Sequence, residues 1–172
     1  LTSYIQRQEL DFSKFIKDSS LLRKLVQHEE SLSDFKSIQN KEYGVFILAE
    51  SVFDPQQLLF WSSQNVVPPV SSYNLSDGEY FYPLLANGYY IIIKKHFSLT
   101  GMSNQLWAYA MIPVKSRYYI EGQFLNDEFA YNKTAHKRII ISNKPTSFPI
   151  TNAGGRTLFY IDRKPTSAIP YN

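Results

Sequence analysis

The first forty residues carry apolar side chains at helical spacing. Across residues 3–39 the apolar positions recur three, four or seven residues apart, which is the period of a helix that buries one face. Asp18 and Ser31 are each well suited to cap a new helix, and Asp34 follows Ser31 at capping-box distance. The pattern predicts one longer helix and then two shorter ones. The apolar positions are Ile5, Phe12, Phe15, Ile16, Leu22, Leu25, Val26, Leu32 and Phe35.

After Tyr43, short apolar runs separated by turn residues replace the helical pattern. Asp54-Pro55 predicts the turn of a hairpin, and Asn87-Gly88 predicts a second tight turn. The polar, Pro-containing stretch 66–77 predicts a loop lying across the sheet. Residues 115–131 predict a loop and then a short helix bearing Phe124, Leu125 and Phe129. Strands are predicted at 45–48, 58–61, 80–82, 89–97, 106–114, 137–141 and 158–161.

Helices followed by antiparallel strands predict an α+β fold, in which N-terminal helices pack on an antiparallel β-sheet. We expect a single domain over residues 1–172, helical over 1–40 and mainly sheet over 43–163. The apolar stripe of Ile5, Phe12 and Phe15 has two interpretations. It covers the sheet, or it joins two copies of the chain in a homodimer.

Composition narrows the classes of partner. Aromatic residues make up 16% of the chain, with 13 Tyr and 12 Phe, and Tyr is favoured at pocket walls and interfaces because it joins an apolar ring to a polar tip. The net charge of +3 comes from scattered basic residues, which argues against a nucleic-acid partner. The absence of Cys excludes disulfides, thiolate zinc sites and a Cys nucleophile.

No residue set is typical of catalysis or metal binding. His28, His96 and His136 are isolated in the sequence, and Glu29-Glu30 are neighbours that would not face each other on a helix. No nucleophile elbow or phosphate-binding glycine motif is present. We therefore expect no catalytic residue, no metal ligand and no cofactor, and we rank a hydrolase of unrecognised type well below a binding function.

Aromatic residues beside small polar groups are the candidates for ligand binding. Trp61 ends a predicted strand next to Ser62, and it is interpreted either as a pocket wall or as a cap on the core under the helices. Strand alternation places Tyr80 with Tyr82, and Trp107 with Tyr109, on one sheet face each, and these four residues together with Tyr89 could face a single cavity. A basic residue past a strand end is suited to an anionic ligand. The predicted ligand-binding residues are Trp61, Ser62, Asn65, Tyr80, Tyr82, Asn87, Tyr89, Trp107, Tyr109 and Arg117.

A leading helix, the run Phe46-Ile47-Leu48 with a turn after it, and four further short motifs occur in an order that resembles the extracytoplasmic input domains of sensor histidine kinases from Bacteroidetes-type bacteria. Pro113 and Gly122 depart from that pattern, at the end of a strand and at the start of a helix respectively. The motifs are Leu59-Phe60-Trp61-Ser62-Ser63-Gln64-Asn65 before a Pro-containing loop, Asn87-Gly88-Tyr89, the segment from Ile112 to Tyr118, and Phe124-Leu125-Asn126 with Phe129.

The resemblance implies a PAS/Cache-like sensor domain in the periplasm, held to the inner membrane by flanking helices that lie outside this sequence. It implies that the domain senses an unknown small molecule or partner protein and relays the signal through its terminal helix to a cytoplasmic kinase. The fragment itself would not be an enzyme. The alternative is a non-enzymatic module that binds a protein or a polysaccharide through its Tyr-rich surface.

Overall fold

The computed structural model describes residues 1–118 and 127–165, and it begins with the three predicted helices. These are α1 (Thr2–Lys17), α2 (Ser19–Gln27) and α3 (Leu32–Gln39). The Asp18 carboxylate accepts a hydrogen bond from the Leu21 amide and so caps α2. Ser31 and Asp34 form a reciprocal capping box at the start of α3. Both caps satisfy amides that have no partner inside the helix.

The strands follow, together with two short 3-10 helices. The β1–β2 hairpin, the turn before β5 and the antiparallel pairing of β5 with β6 are confirmed. The strands are β1 (Gly44–Glu50), β2 (Gln57–Trp61), β3 (Tyr80–Phe81), β4 (Leu84–Leu85), β5 (Gly88–Phe97), β6 (Gln105–Ser116), β7 (Ile139–Ser142), β8 (Pro149–Thr151) and β9 (Thr157–Arg163), and the 3-10 helices are Val70–Asn74 and Ala135–Lys137.

The described strands form two antiparallel sheets, so the fold is α+β as predicted. In the larger sheet the strand order is β2-β1-β6-β5-β3, and β4 pairs with the other end of β5. The smaller sheet has the order β7-β9-β8. Gly88 lies where β4, β5 and β6 meet, with φ of 147°. A Cβ at this position would lie 2.2 Å from the Lys115 carbonyl oxygen, so only glycine permits this close approach.

The helices cover one face of the larger sheet and build the main core. Ile5, Phe12 and Phe15 of α1 are buried there against strand residues such as Ile47 and Ile91. Of the two interpretations of the apolar stripe, the structure therefore favours the covering of the sheet. The smaller sheet adds its own buried side chains, Ile150 and Phe159, to the same core.

The opposite face of the larger sheet is covered by the segment between β2 and β3. Phe46, Ile92 and Met111 form a second buried cluster on this face, and Tyr73 and Leu75 of the connecting segment pack on it. The prediction of a loop lying across the sheet is therefore confirmed, although the loop includes a 3-10 turn. Both faces of the central strands are apolar because both are covered.

Several sequence predictions require correction. The helix predicted within 115–131 does not extend to Phe129, which instead forms isolated bridges with Lys115 and Asn132. Phe124, Leu125 and Gly122 lie outside the described residues. Pro113 remains inside β6, where a register shift at Tyr89 and Tyr90 of β5 accommodates it.

The predicted strand 137–141 begins only at Ile139, because Lys137 belongs to a 3-10 turn. Strands β4 and β8 were not predicted, because their few residues give no periodic signal. Among the described residues, no helix has both the length and the apolar character needed to span a bilayer.

Candidate ligand-binding groove

A cavity of about 640 Å³ opens at the end of the larger sheet where β1 begins and β6 ends. Its walls come from α3, from the segment 41–44, from the end of β2 with the residues after it, and from β5 and β6. The lining residues are Phe35, Gln39, Lys41, Glu42, Tyr43, Gly44, Trp61, Ser62, Ser63, Gln64, Asn65, Val66, Tyr90, Met111 and Pro113.

A second cavity of about 500 Å³ adjoins the first. Asn65, Tyr90 and Pro113 line both cavities, so the two form one elongated depression, which we call the groove. The second cavity is also lined by Asn87, Lys115, Ser116, Tyr118, Glu128, Phe129, Ala130 and Lys133.

Trp61 is a wall of the groove. It pairs with Phe46 across the β1–β2 ladder, and since paired residues share a sheet face, it points away from the helices. Its side chain remains 47% exposed. The interpretation of Trp61 as a core cap under the helices is therefore wrong, and its position is that of a pocket wall.

Ser62 and Asn65 hold the chain in place beside Trp61. The Ser62 hydroxyl accepts a hydrogen bond of 2.8 Å from the Val45 amide, and the Ser62 amide donates to the Val45 carbonyl at 2.9 Å. These bonds close the end of the hairpin. The Asn65 carbonyl accepts a bond of 3.1 Å from the side-chain amide of Asn87, which ties the covering segment to the β4–β5 turn between the two cavities.

Arg117 is placed at the rim of the groove rather than inside it. Its backbone amide donates to the Asn87 carbonyl at 3.0 Å, but its side chain is exposed and is not part of the described lining. The nearby Lys115 side chain lies 3.8 Å from the Asp127 carboxylate. At the groove end of β6, Lys115 therefore has an acidic partner, and the Arg117 side chain lies on the outer surface.

The segment 41–43 lines the groove on the side next to α1 and is bonded to that helix, and we call it the groove floor. Lys41 donates to the Asp11 carboxylate at 2.6 Å, and the Tyr43 hydroxyl donates to the same carboxylate at 2.7 Å. Burial acts to raise the pKa of Asp11, but these two hydrogen bonds outweigh it and hold the pKa below its usual range. Asp11 is therefore an ionised anchor for the groove floor at neutral pH.

Further contacts from α1 reach the groove on the same side of the helix. Arg7 lies 3.0 Å from the Glu42 carboxylate, and Gln8 also donates to that carboxylate. One turn earlier, the Tyr4 hydroxyl donates to the Pro113 carbonyl at 3.0 Å. Positions four and seven residues apart share a helix face, so α1 presents one continuous polar edge to the groove.

Three of the predicted aromatic residues lie on the helix side of the sheet, away from the groove. Tyr82 stacks on Phe159 at 4.3 Å between ring centroids, and on Tyr89 at 5.8 Å. Tyr80 packs against the main core and faces the Glu9 carboxylate. The pKa of Tyr80 is raised mainly by burial and to a smaller extent by this carboxylate. These rings join the smaller sheet to the core, and burial also raises the pKa of Tyr82.

Trp107 and Tyr109 lie on the opposite face, under the covering segment. Tyr109 meets Tyr73 edge to face at 6.1 Å. The ammonium group of Lys94 lies 4.1 Å from the centroid of Trp107 and donates to the Tyr73 carbonyl at 2.6 Å. The expectation that all five predicted strand aromatics share a cavity is therefore wrong, because the sheet separates Tyr80, Tyr82 and Tyr89 from Trp107 and Tyr109.

Tyr90, the groove floor and Lys94 were not among the predicted site residues. Alternation along β5 puts Tyr89 and Tyr90 on opposite faces of the sheet. Two consecutive tyrosines in a strand therefore indicate that one of them lies on the face away from Tyr89, where the groove is. A lysine within the apolar β5 run was likewise a visible signal for the buried Lys94, whose pKa is lowered by desolvation. The joining of Lys41 and Glu42 to α1 depends on tertiary contacts and has no local signal.

Across residues 1–118 and 127–165, no three His, Cys, Asp or Glu side chains are grouped so that they could hold a metal ion. In comparisons with protein-family models, curated proteins and solved structures, none matches this chain.

Proposed function

We propose that this chain is a non-enzymatic sensor domain that binds a small molecule in the groove and transmits occupancy to α1. The larger proposal is that it is the extracytoplasmic input domain of a membrane-bound two-component sensor histidine kinase, located in the periplasm, with a PAS/Cache-like fold. An antiparallel sheet covered on one face by N-terminal helices is compatible with that class of domain.

One observation carries the proposal: the residues that form the groove floor are the residues bonded to α1. Lys41, Glu42 and Tyr43 line the groove and contact Asp11, Arg7 and Gln8. A ligand that displaces the floor must therefore strain or rebuild contacts of the helix. Such a ligand shifts the position of α1 only if it binds two arrangements of the floor with different affinity.

The groove also has the size and composition of a ligand site. Pockets for small molecules typically measure about 300–1,000 Å³ and combine apolar walls with a few polar groups. The first cavity alone falls within that range at 640 Å³, and it sets the rings of Phe35, Trp61 and Tyr90 among polar side chains.

The binding part of the proposal is tested by a thermal-shift screen of the chain. The panel consists of amino acids, dicarboxylates, nucleosides, neutral monosaccharides and oligosaccharides, and uronic acids. We expect at least one class to raise the Tm, because a compound that binds only the folded state stabilises it.

Matched variants make the screen specific for the groove. Trp61→Ala removes the wall and should abolish the shift. Phe53→Ala removes an aromatic ring in the turn after β1, where the residue is 98% exposed, and should leave the shift unchanged. A panel without any hit, or a hit that survives Trp61→Ala, contradicts binding in the groove.

The kinase part of the proposal is tested on the complete gene product. It predicts apolar spans on both sides of this segment and a kinase domain downstream. With the full-length protein in membranes, a groove-binding compound should change autophosphorylation, and Trp61→Ala should remove that response. A gene product without a kinase domain contradicts this part and leaves the binding part standing.

An interaction module for a protein or polysaccharide is the second candidate, and a different surface favours it. Val52 and Phe53 at the tip of the β1–β2 hairpin are 96% and 98% exposed. The turn that carries them is held by bonds between Ser51 and Asp54. A partner whose binding is lost in Phe53→Ala but retained in Trp61→Ala would favour this function over sensing through the groove.

A further inference from the structure

We propose that the groove ligand is an uncharged oligosaccharide. This inference rests on the proposed function, since it names the chemical class of the molecule that the groove would sense. It follows from the charge balance of the lining, from the pairing of exposed rings with amide side chains, and from the elongated shape of the joined cavities.

The charge balance argues against an ionic ligand. Among the described residues, the first cavity is lined by only two charged side chains, Lys41 and Glu42. Lys41 is paired with Asp11 at 2.6 Å, and Glu42 is paired with Arg7 at 3.0 Å. A carboxylate or ammonium ligand would lose its hydration on binding. It would gain no new ion pair in return, because both charged side chains of this cavity already have partners.

The second cavity is balanced in the same way. Lys115 lies 3.8 Å from Asp127, and Glu128 and Lys133 contribute one charge of each sign to the lining. The Arg117 side chain, which was the sequence candidate for an anion, is exposed outside the described lining. Among the described residues, the groove lining therefore offers no concentrated field of either sign.

The lining combines flat apolar faces with groups that both donate and accept hydrogen bonds. Trp61 and Tyr90 supply the faces, and the C–H edges of a sugar ring suit the negative face of an aromatic ring. Gln39, Gln64 and Asn65 supply side-chain amides. An amide offers two donors and an acceptor, which matches the hydroxyl groups of a neutral sugar.

The shape favours a chain of several sugars over a single ring. The two cavities total more room than one ring fills, and Asn65, Tyr90 and Pro113 line both. Trp61 belongs to the first cavity and Asn87 to the second. A chain that occupies both would therefore contact groups at both ends of the groove.

The inference is tested on an array of neutral, acidic and amino-sugar glycans, with titration of maltohexaose, cellohexaose and laminarihexaose by calorimetry. At least one neutral oligosaccharide should bind. Its monosaccharide should bind at least about tenfold more weakly, because a single sugar cannot contact both cavities. Affinity should change by less than about twofold between about 50 mM and about 500 mM salt, since no charge pair is formed.

Variants locate the binding. Trp61→Ala and Tyr90→Ala should each weaken binding by about tenfold or more, whereas Phe53→Ala should not change it. Binding restricted to uronic or amino-sugar glycans, binding that falls steeply with salt, or an array without any neutral hit would overturn the inference. A groove-dependent thermal shift with an amino acid or nucleoside would also overturn it, while sustaining the proposed function.

Discussion

Two neighbouring residues of α1, Phe12 and Asp11, lie in opposite surroundings. Phe12 is 1% exposed in the main core, stacked on Phe15 at 6.2 Å and set edge to face with Tyr43 at 6.0 Å. Asp11 is partly exposed and bonded to Lys41 and to the hydroxyl of the same Tyr43. Tyr43 thus packs its ring in the core and binds the groove floor to α1 with its hydroxyl.

The difference separates the contacts that stabilise the fold from the contacts that the proposed signalling would use. Burial of an apolar side chain contributes about 1.5–3 kcal/mol, while a partly exposed ion pair contributes only about 0–1 kcal/mol. The core side of α1 therefore fixes the helix to the sheet. The groove side supplies contacts weak enough for a ligand to rearrange at small cost.

The largest expected effect comes from the core side. Phe12→Ala should destabilise the chain by about 3–5 kcal/mol, because it leaves a cavity in a closed core. Chemical denaturation measures the loss. Leu10→Ala on the same helix is the control, since Leu10 is 58% exposed, and a loss of similar size in this variant would contradict the assignment of the two helix faces.

A smaller loss is expected on the groove side. Asp11→Asn should lower the Tm by about 2 °C at neutral pH. The pKa of Asp11 is lower in the folded chain than its ordinary value of 3.8. Its contribution is therefore present above that value and lost as the pH falls through the lowered pKa. Thermal melts should converge for wild type and variant in acid, and a gap independent of pH would contradict the ionised anchor.

Glu9, two residues earlier, should behave in the opposite sense. Its carboxylate is buried against the smaller sheet and accepts a 2.8 Å bond from the Ala153 amide. Burial raises the pKa of Glu9, although bonds from Tyr80 and Ala153 oppose the shift. Its contribution to stability is therefore full below the ordinary value and is lost as the pH rises through the raised pKa.

Glu9→Gln keeps an acceptor for Ala153 and removes the buried charge. The variant should melt at the wild-type temperature or about 2 °C above it at neutral pH, with the advantage disappearing in acid. A variant that is less stable at neutral pH would show that the ionised form of Glu9 is required at the junction of α1 and the smaller sheet.

The smallest effect on stability is expected at the groove wall. Trp61→Ala should change the unfolding free energy by less than about 1 kcal/mol, because the ring is 47% exposed and fills no closed core. Denaturation curves measure this change. A loss of the size expected for Phe12→Ala would mean that Trp61 serves packing rather than binding.

The helices, their caps and most strands could be predicted because their signals are local. Asp18, Ser31 and Asp34 cap helices through bonds to residues three positions away, and β5 and β6 are long apolar runs. The helix predicted up to Phe129 failed because a bridge to Lys115 fixes that residue in an extended arrangement. Tertiary pairing outweighs local propensity there.

The candidate site could be predicted only in part. Trp61, Ser62, Asn65 and Asn87 do meet at the groove, since strand ends and turns gather at one edge of a sheet. Alternation along β5 separates Tyr89 from Tyr90, but which sheet face meets the groove is set by tertiary packing, so the sequence does not tell which ring reaches it. The contacts from Lys41 to α1 join segments that are far apart in the sequence, so no sequence pattern predicts them.

The central claim, that the groove and α1 are mechanically joined, is tested most directly by filling the groove covalently. The chain has no Cys, so Gln64→Cys can be modified at a single position with a bulky methanethiosulfonate reagent. Ser103→Cys, at the opposite end of the sheet beside the start of β6, is the control. Hydrogen exchange then reports on the amides of α1.

The groove-modified protein should exchange faster than the unmodified variant over residues 4–12, where Tyr4, Gln8 and Asp11 contact the groove, while modification at position 103 should leave those amides unchanged. If a filled groove leaves the exchange of α1 unaltered, the groove and the helix are independent, and the account is contradicted.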